Sequence, residues 1–230
     1  MDYQDRTVVI TGGVGGLGSA VVEVLLAAGA ICHVPHRGDP SRGPRGHERL
    51  TLHPGIDLTD EVAVEGFYRQ IPGLWASIHI AGGFAFGPVA STGKSVLTSQ
   101  IEMNLVTCYL CCRSAVTALT TAPAGGRIVN VAARPALEWR SGAGMAAYTA
   151  SKAAVAALTV ALAEEVVKDN VLVNAVAPSI LDTEANRKAM PKADHAAWPK
   201  VEDVARTVLF LASPDNKVTR GAIVPVYGRV

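Results

Sequence analysis

The chain has 230 residues and a formal net charge of +1, because 21 Lys and Arg residues nearly balance 20 Asp and Glu residues. This balance gives no electrostatic reason to expect nucleic acid or an acidic membrane surface as a partner. The length is sufficient for one α/β domain with a sizeable core, and an apolar fraction of 49% with only 5% aromatic residues is typical of helices packed on a parallel sheet.

No leader or membrane segment is visible in the sequence. Met1–Arg6 runs directly into an apolar segment, without the basic and apolar regions of a secretory signal. Gly, Pro or charged residues interrupt the longest apolar runs well before the ~20 residues that span a bilayer. We therefore expect a soluble, cytoplasmic protein that contacts neither membrane nor nucleic acid.

Apolar β-branched runs alternate with helical periodicity along the whole chain. Strands are predicted at residues 6–10, 30–35, 50–53, 75–81, 127–132, 171–176 and 222–226, and helices at 17–28, 61–70, 96–119, 148–168 and 201–211. Because no composition break marks a linker, residues 1–230 are predicted to form one domain. We expect an α/β fold with a doubly wound, mostly parallel sheet and helices on both faces.

The first strand and the first helix are joined by a glycine-rich loop, Thr11–Gly18. Glycine tolerates positive φ and, lacking Cβ, lets the backbone approach a diphosphate. The helix N-terminus adds free N–H groups and the positive end of the helix dipole. The loop therefore predicts a dinucleotide site with contacts from Gly12, Gly13, Gly16, Leu17 and Gly18.

Residues 37–49 contain too many Gly and Pro for a helix and are predicted to be a loop that carries Arg37, Arg42, Arg45 and Arg49. Arg37 directly follows the second strand, where a carboxylate usually holds the ribose 2′-hydroxyl of NAD. A guanidinium there favours a 2′-phosphate, and the alternative is a solvated arginine. NADP(H) is the expected cofactor, with NAD(H) as the second choice.

The four cysteines are Cys32, Cys108, Cys111 and Cys112, and three of them lie in one predicted helix. A metal site would need His or Asp ligands at suitable spacing, and the sequence places none nearby. We therefore expect buried, reduced thiols that behave as small apolar residues, with no metal site and no disulfide.

Tyr148 and Lys152 open a strongly apolar helix, and their spacing of four residues places both side chains on one face. A phenol with a pKa of about 10 is a weak acid–base group at neutral pH, and a nearby cation lowers that pKa. Lys152 is expected to act in this way, so that Tyr148 donates a proton as hydride leaves the cofactor. The alternative is a surface pair with no role.

In their order and spacing these motifs resemble the short-chain dehydrogenase/reductase family over essentially the whole chain. The matching segments are Thr11–Gly18, Asp57-Leu58, Ala81-Gly82, Asn104, Tyr148-x-x-x-Lys152, Pro178-Ser179 and Gly221. The resemblance implies a seven-stranded Rossmann sheet, a homodimer or homotetramer, and hydride transfer to a carbonyl or imine-like small molecule.

The resemblance also implies roles for individual residues. Asn104 would support a proton-relay water joined to Lys152, which completes a catalytic set with Tyr148. Asp57 and Leu58 would lie beside the adenine. Further cofactor contacts would come from the segments after strands four and six, namely Ala81, Gly82, Pro178, Ser179, Ile180 and Thr183.

The sequence departs from the family pattern at the end of the fifth strand. The family usually has a serine there that binds the substrate oxygen, whereas this chain has Ala133 and no hydroxyl in 129–135. Ser141 is too near Tyr148 to replace it. Losing such a donor typically lowers the rate by about 10²–10³. A second departure is His79, where the family commonly has paired asparagines, and we expect a structural role for it.

Several features are similar to the dihydropteridine reductase subgroup, which also lacks the serine. They are Ala81-Gly82-Gly83-Phe84 and the 181–191 segment followed by Trp198. This likeness implies a quinonoid dihydropterin as the hydride acceptor and a substrate lid near 181–199, for which an ordinary surface helix is the alternative. Those reductases carry an acidic second-strand residue where this chain has His36-Arg37, and Asn104 follows the wider family.

Three functions are therefore open. A carbonyl or imine reductase is the first, and a pterin reductase is the second. The third is a catalytically idle nucleotide-binding or sensor protein, which the missing serine favours. A sensor would need none of Asn104, Tyr148 and Lys152, so their presence argues against it.

Overall fold

The computed structural model describes residues 1–38 and 43–230. Seven strands form one sheet in the order β3-β2-β1-β4-β5-β6-β7, and every neighbouring pair is parallel. The predicted α/β fold and seven strands are confirmed, and the sheet is entirely rather than mostly parallel. The strands are β1 (Thr7–Thr11), β2 (Ile31–His36), β3 (Leu50–Pro54), β4 (Leu74–His79), β5 (Gly126–Val131), β6 (Val171–Pro178) and β7 (Ile223–Val226).

The helices include two that the sequence did not predict. In chain order, the helices are α1 (Gly16–Ala27), α2 (Glu61–Arg69), α3 (Lys94–Ile101), α4 (Thr107–Leu119), α5 (Arg134–Leu137), α6 (Ala146–Glu165), α7 (Glu184–Ala189) and α8 (Val201–Leu211). The missed helices are α5 and α7, with 4 and 6 residues, because so few residues show no helical period. The described part of 37–49 contains no helix, and Arg42 lies outside the described residues.

The helix predicted at 96–119 begins earlier, at Lys94, and is not regular. A π-helical turn at Glu102–Val106 separates α3 from α4 without breaking the rod. A π turn inserts an extra residue into the helix, and such turns are frequent at functional sites. Asn104 lies within this turn, so the irregularity sets the direction of its side chain.

The two faces of the sheet carry separate apolar cores. On β1, Val8 and Ile10 pack on one side with α1 and α8, while Val9 packs on the other side with α2 and α4. This alternation follows from the two-residue period of a strand. Because both faces are covered, the central strands β1, β4 and β6 are buried at every position.

One helix in the described part of the chain, α6, is long and apolar enough to cross a membrane by length and composition. Its apolar run is interrupted by Lys152, the only charged residue between positions 146 and 163, as expected for the longest apolar runs. Val155, Leu162 and Ala163 of α6 belong to the apolar core that Val9 forms with α2 and α4. The core helices of proteins outside membranes can meet the same criteria, and a third of this apolar window is buried inside the fold.

Candidate active site

A crevice opens between the carboxyl ends of β1 and β4, where the strand order reverses. After β1 the chain builds β2 and β3 on one side, and β4 then returns to the other side of β1. Such a switch point is where open α/β sheets bind ligands. The glycine loop leaves β1 at this point and enters α1, whose N-terminus has no side-chain cap because Gly15 precedes it.

The loop needs glycine at two positions for different reasons. Gly12 has φ +68°, and a Cβ there would lie 2.8 Å from the backbone nitrogen of Ala81. A Cβ on Gly18 would lie 2.0 Å from the carbonyl oxygen of Gly12. The loop is closed by a hydrogen bond of 3.0 Å from the Gly15 nitrogen to the same oxygen. Glycine therefore lets the loop fold back on itself against β4.

A cleft of about 520 Å³ extends from this loop past the ends of β2, β3 and β4. Nine of the predicted cofactor residues line it, namely Gly12, Gly16, Leu17, Gly18, Arg37, Asp57, Leu58, Ala81 and Gly82. Gly13 has a different role, because a Cβ there would lie 2.8 Å from a methyl group of Val34 on β2. The glycine at position 13 is therefore explained by packing against the sheet.

Arg37 and Asp57 face each other across the far end of the cleft. An Arg37 guanidinium nitrogen lies 3.3 Å from Asp57 Oδ2, and the Arg37 side chain is 68% exposed. Asp57 Oδ1 accepts hydrogen bonds from the backbone nitrogen and hydroxyl of Thr59, which lower the pKa of the carboxyl. Thr59 thus fixes the carboxylate, whereas the exposed guanidinium can turn toward an anionic ligand.

Asn104 and Lys152 meet at Gly82, deeper in the crevice. A Cβ on Gly82 would lie 2.5 Å from Asn104 Oδ1 and 3.4 Å from Lys152 Nζ. The Asn104 amide exchanges two hydrogen bonds of 3.0 Å with the backbone of Gly83, and Lys152 Nζ donates to the Val131 carbonyl at 2.8 Å. Because Gly82 has no side chain, both polar groups face the same small space.

Ser151 is a residue that the sequence analysis did not single out. Its hydroxyl donates to the Tyr148 carbonyl at 2.7 Å and accepts from Asn104 Nδ2 at 3.1 Å. This bridge ties the π turn to the first turn of α6. Its position directly before Lys152 and three residues after Tyr148, on the same side of the helix, was the sequence signal that could have found it.

The Tyr148 phenol is in a largely apolar environment. The Phe84 ring contacts it edge-on, with ring centroids 5.0 Å apart. Burial raises the pKa of Tyr148 to about 12 and lowers the pKa of Lys152 to about 8. The expectation that Lys152 lowers the phenol pKa is therefore wrong for this arrangement, because burial dominates and the ammonium group is directed to Val131.

At the end of β5, Ala133 is buried and stands at the N-cap of α5. Ser141, as expected, is no substitute for a serine there, since its hydroxyl donates to the Glu138 carbonyl at 2.8 Å. The hydroxyl of Ser151 is also committed to backbone and Asn104. Neither serine offers its hydroxyl to the space beside the Tyr148 phenol.

The four predicted residues after β6 do not line the cleft that holds the nine residues named above. Ser179 donates its hydroxyl to the Tyr227 carbonyl at 2.7 Å, and Ile180 is 41% exposed. The Thr183 methyl lies 3.3 Å from where a Cβ on Gly16 would be, so it borders the glycine loop. Pro178, the last residue of β6, is buried.

The segment predicted as a lid, 181–199, contains α7 and a 3₁₀ turn, His195–Ala197. Asp182 and Arg187 form an ion pair of 2.5 Å at its beginning. Trp198 is buried against the His195 ring at its end, so this tryptophan anchors the segment instead of covering the substrate.

His79 is buried at the end of β4 and makes several polar contacts. Its ring nitrogens lie 2.8 Å from Ser77 Oγ and 2.8 Å from Asn130 Oδ1, which agrees with the expected structural role. The ring also lies 3.4 Å from Cys112 Sγ. The expectation that no histidine is near the cysteines was therefore wrong, because β4 and α4 are neighbours in space but distant in sequence.

With this geometry in place, comparison with known proteins is decisive. The family model described as short chain dehydrogenase matches residues 6–194. The chain belongs to the short-chain dehydrogenase family. As a member of this family it is an NAD(P)-dependent oxidoreductase, as the glycine loop and the Tyr148/Lys152 pair predicted.

Two curated relatives align along almost the whole chain. BbsD from Thauera aromatica, a subunit of a hydroxy(phenyl)methylsuccinyl-CoA dehydrogenase, is 29% identical and is covered over 97% of its length by 99% of this chain. The 2,3-dihydroxy-2,3-dihydro-p-cumate dehydrogenase of Pseudomonas putida is 28% identical, with 95% of its length covered by 99% of this chain. These relatives support the family and give no specific support to the dihydropteridine reductase subgroup.

A solved structure, that of ElxO with NADP bound, superimposes with a TM-score of 0.88. It is 24% identical, and the alignment covers 98% of each chain. This likeness shows that the two proteins share one fold from end to end.

Proposed function

We propose that the protein is an NADP(H)-dependent reductase that transfers hydride to a carbonyl or imine-like group of a small molecule, with Tyr148 as the proton donor. The observation that carries the cofactor preference is Arg37, which lines the same cleft as the glycine loop in a place where NAD-binding proteins usually have a carboxylate. ElxO, with the same fold, binds NADP, which agrees with this preference.

The residues that line the cleft fit such a cofactor. The glycine loop and the N-terminus of α1 offer N–H groups to a diphosphate. Arg37 is exposed and able to form paired hydrogen bonds with a 2′-phosphate. The cofactor, when bound, supplies the hydride, and everything else in the reaction falls to the protein's own side chains.

Burial keeps Tyr148 protonated at neutral pH, which is the form that the reducing direction requires. With a pKa of about 12 the phenol keeps its proton at neutral pH, so it is ready to donate to a developing alkoxide or amine. The opposite direction would require a buried phenolate before the reaction begins. Lys152, which faces the space at Gly82, is the group that can return a proton to the phenol, and Asn104 in the same space would hold the water that relays it.

Ala133 narrows the class of acceptor. Without a second donor to the substrate oxygen, the acceptor must draw its reactivity from its own structure. Electron-poor, conjugated carbonyls and imines meet this condition better than simple ketones.

The cofactor proposal is tested by side-by-side kinetics with NADPH and NADH. We expect a lower KM for NADPH in the wild type and a rise of about 10- to 100-fold in that KM for Arg37→Leu, since a charge-assisted contact is worth about 1.5–3 kcal/mol. The KM for NADH should change little. Arg69→Leu is the matched control, because Arg69 is an exposed arginine that pairs with Glu65 on α2. Equal or better turnover of wild-type protein with NADH would refute the preference.

A quinonoid dihydropterin is a second candidate substrate, favoured by the ring of Phe84. This ring is 59% exposed and touches Tyr148 edge-on, so a flat conjugated ligand could stack on it beside the proton donor. A panel of simple ketones, quinones and quinonoid dihydropterin separates the candidates. Binding of NADPH with no turnover of any acceptor, and no effect of Tyr148→Phe, would support an idle sensor instead.

We also propose a homodimer or homotetramer. Tyr109 on α4 and Val160 on α6 are large apolar side chains that are 52% and 45% exposed. A second copy would bury such residues on these long helices. Sedimentation velocity should give a mass at least twice that of the chain, and a monomer at micromolar concentration would refute the proposal.

A further inference from the structure

A buried cluster of one imidazole and two thiols lies where β4 ends against α4. His79 is the last residue of β4, and Cys108 and Cys112 lie one turn apart on the same face of α4. The two sulfur atoms and a ring nitrogen of His79 are all within 4.8 Å of one another. Each of the three residues is at most 5% exposed. The proposed reaction uses none of them.

The chemistry of these donors is that of a thiophilic metal site. Thiolate sulfur and imidazole nitrogen are the ligands that Zn²⁺ takes in proteins, and soft thiolates also select Cu⁺. Two thiolates cancel the charge of a dication, so a buried ion would leave no uncompensated charge. We propose that His79, Cys108 and Cys112 bind one Zn²⁺ ion that links β4 to α4.

The groups around His79 allow it to become a ligand. Asn130 Nδ2 donates to Thr159 Oγ1 at 2.9 Å, which turns Asn130 Oδ1 toward His79 Nδ1 and makes that nitrogen the donor. His79 Nε2 lies 2.8 Å from Ser77 Oγ, which lies 2.7 Å from the Tyr68 hydroxyl. Either hydroxyl of that pair can donate the hydrogen bond between them. Ser77 Oγ can therefore accept a hydrogen bond from a protonated His79 Nε2 as readily as it donates one to the unprotonated nitrogen.

Metal binding therefore has a defined proton balance. The His79 proton moves from Nδ1 to Nε2 and is then held by Ser77, as the second nitrogen of a metal-bound histidine commonly is. The two thiol protons leave, so two protons are released for each ion. Asn130 Oδ1, freed from His79 and 3.5 Å from Cys112 Sγ, becomes available as a fourth, oxygen ligand.

Cys111 provides the contrast within the same helix. It is as deeply buried as its neighbours but belongs to a different environment, near the hydroxyl of Tyr68. The ligand atoms of His79, Cys108 and Cys112 are the ones that lie within 4.8 Å of one another, so Cys111 is the matched thiol outside the cluster.

The test uses the full-length protein, Co²⁺ as a spectroscopic probe and Zn²⁺ as the proposed ion. Reduced wild-type protein should take up one Co²⁺ per chain, show a thiolate-to-cobalt charge-transfer band and exchange Co²⁺ for Zn²⁺. Zn²⁺ should release two protons, protect two thiols from alkylation and raise Tm by about 5–10 °C at about a hundredfold excess over Kd.

Cys108→Ala and Cys112→Ala should each abolish the band and the Tm shift, while the matched control Cys111→Ala should keep both. Thiol protection in the wild type decides the matter if a variant fails to fold. Failure of the wild type to retain Zn²⁺ after dialysis, or equal loss in Cys111→Ala, would overturn the proposal. Retention of Cu⁺ but not Zn²⁺ would overturn the assignment to zinc.

Discussion

The two halves of the crevice are specified in different ways. The half made by the glycine loop and the ends of β2 and β3 depends on what is absent, since Gly12 and Gly18 allow backbone contacts that any Cβ would block. The half made by α3, α4 and α6 depends on buried side-chain hydrogen bonds that join Asn104, Ser151 and Lys152 to backbone carbonyls. Substitutions in the first half should therefore weaken cofactor binding, and substitutions in the second half should slow the chemical step.

Tyr148→Phe is the strongest test of the chemical half. Removal of the proton donor should lower kcat by about 10²–10⁴, since this is the usual worth of general acid catalysis. The Kd for NADPH, measured by fluorescence, should stay the same because the ring is kept. Tyr109→Phe is the control, because it removes the same hydroxyl from a tyrosine on α4 that does not line the cleft. Undiminished turnover would show that another group donates the proton and would remove the distinction between the halves.

Gly18→Ala tests the binding half. The added methyl would lie 2.0 Å from the Gly12 carbonyl oxygen, so the loop must move away from the diphosphate position. We expect the Kd for NADPH to rise by about 10²-fold, as a displacement of about 1 Å at a site commonly costs. Gly66→Ala is the control, because a Cβ at Gly66 in α2 meets open space, and it should stabilise the fold by about 0.5–1 kcal/mol. Equal NADPH affinity in Gly18→Ala and wild type would contradict the role of the loop.

Ala133→Ser tests whether the absence of a second hydrogen-bond donor to the substrate oxygen limits the rate of the chemical step. A hydroxyl at the end of β5 should raise kcat/KM for simple ketones by about 10- to 100-fold, a part of what such a donor supplies elsewhere. Turnover of a conjugated acceptor should change less, because that substrate needs the donor less. The ratio of the two rates is the measurement. An unchanged ratio would mean that Ala133 does not face the substrate oxygen.

The sequence was informative where a residue acts through its own backbone or a close neighbour. Periodicity predicted the seven strands, and the glycine loop predicted four of the nine cleft residues, because both signals are local. The sequence did not predict α5, because its four residues are too few to show a helical period. It did not predict the π turn at Glu102–Val106 either, because that irregularity depends on tertiary packing. Ser151 was missed because its partners lie on another helix.

The pairing of His79 with Cys112 was missed for a related reason. The two residues are 33 positions apart, and only the packing of α4 on β4 brings them within 3.4 Å. The direction of the Tyr148 pKa was also wrong from sequence, because the spacing of Tyr148 and Lys152 carries no information about burial. Burial is a property of the folded core, and here it outweighs the neighbouring charge.

The pH dependence of the reaction is the smallest of the expected effects, and it tests whether the chemical step needs the charged form of Lys152. Burial lowers the pKa of Lys152 to about 8, so the ammonium form is lost as pH rises through that value, while Tyr148 keeps its proton up to about pH 12. If the charged lysine is needed, kcat/KM for reduction should be flat below about pH 8 and fall about tenfold per pH unit above it. The limiting group is then the lysine and not the tyrosine.

Lys152→Arg separates these two groups, because a guanidinium stays charged throughout this range. The activity that Lys152→Arg retains should no longer fall above about pH 8. The control variant Lys168→Arg should still show that fall in kcat/KM. A limb that survives in Lys152→Arg would assign the titration to another group. It would also mean that the hydrogen bond from Lys152 to Val131, and not its charge, is what the chemical half of the crevice requires.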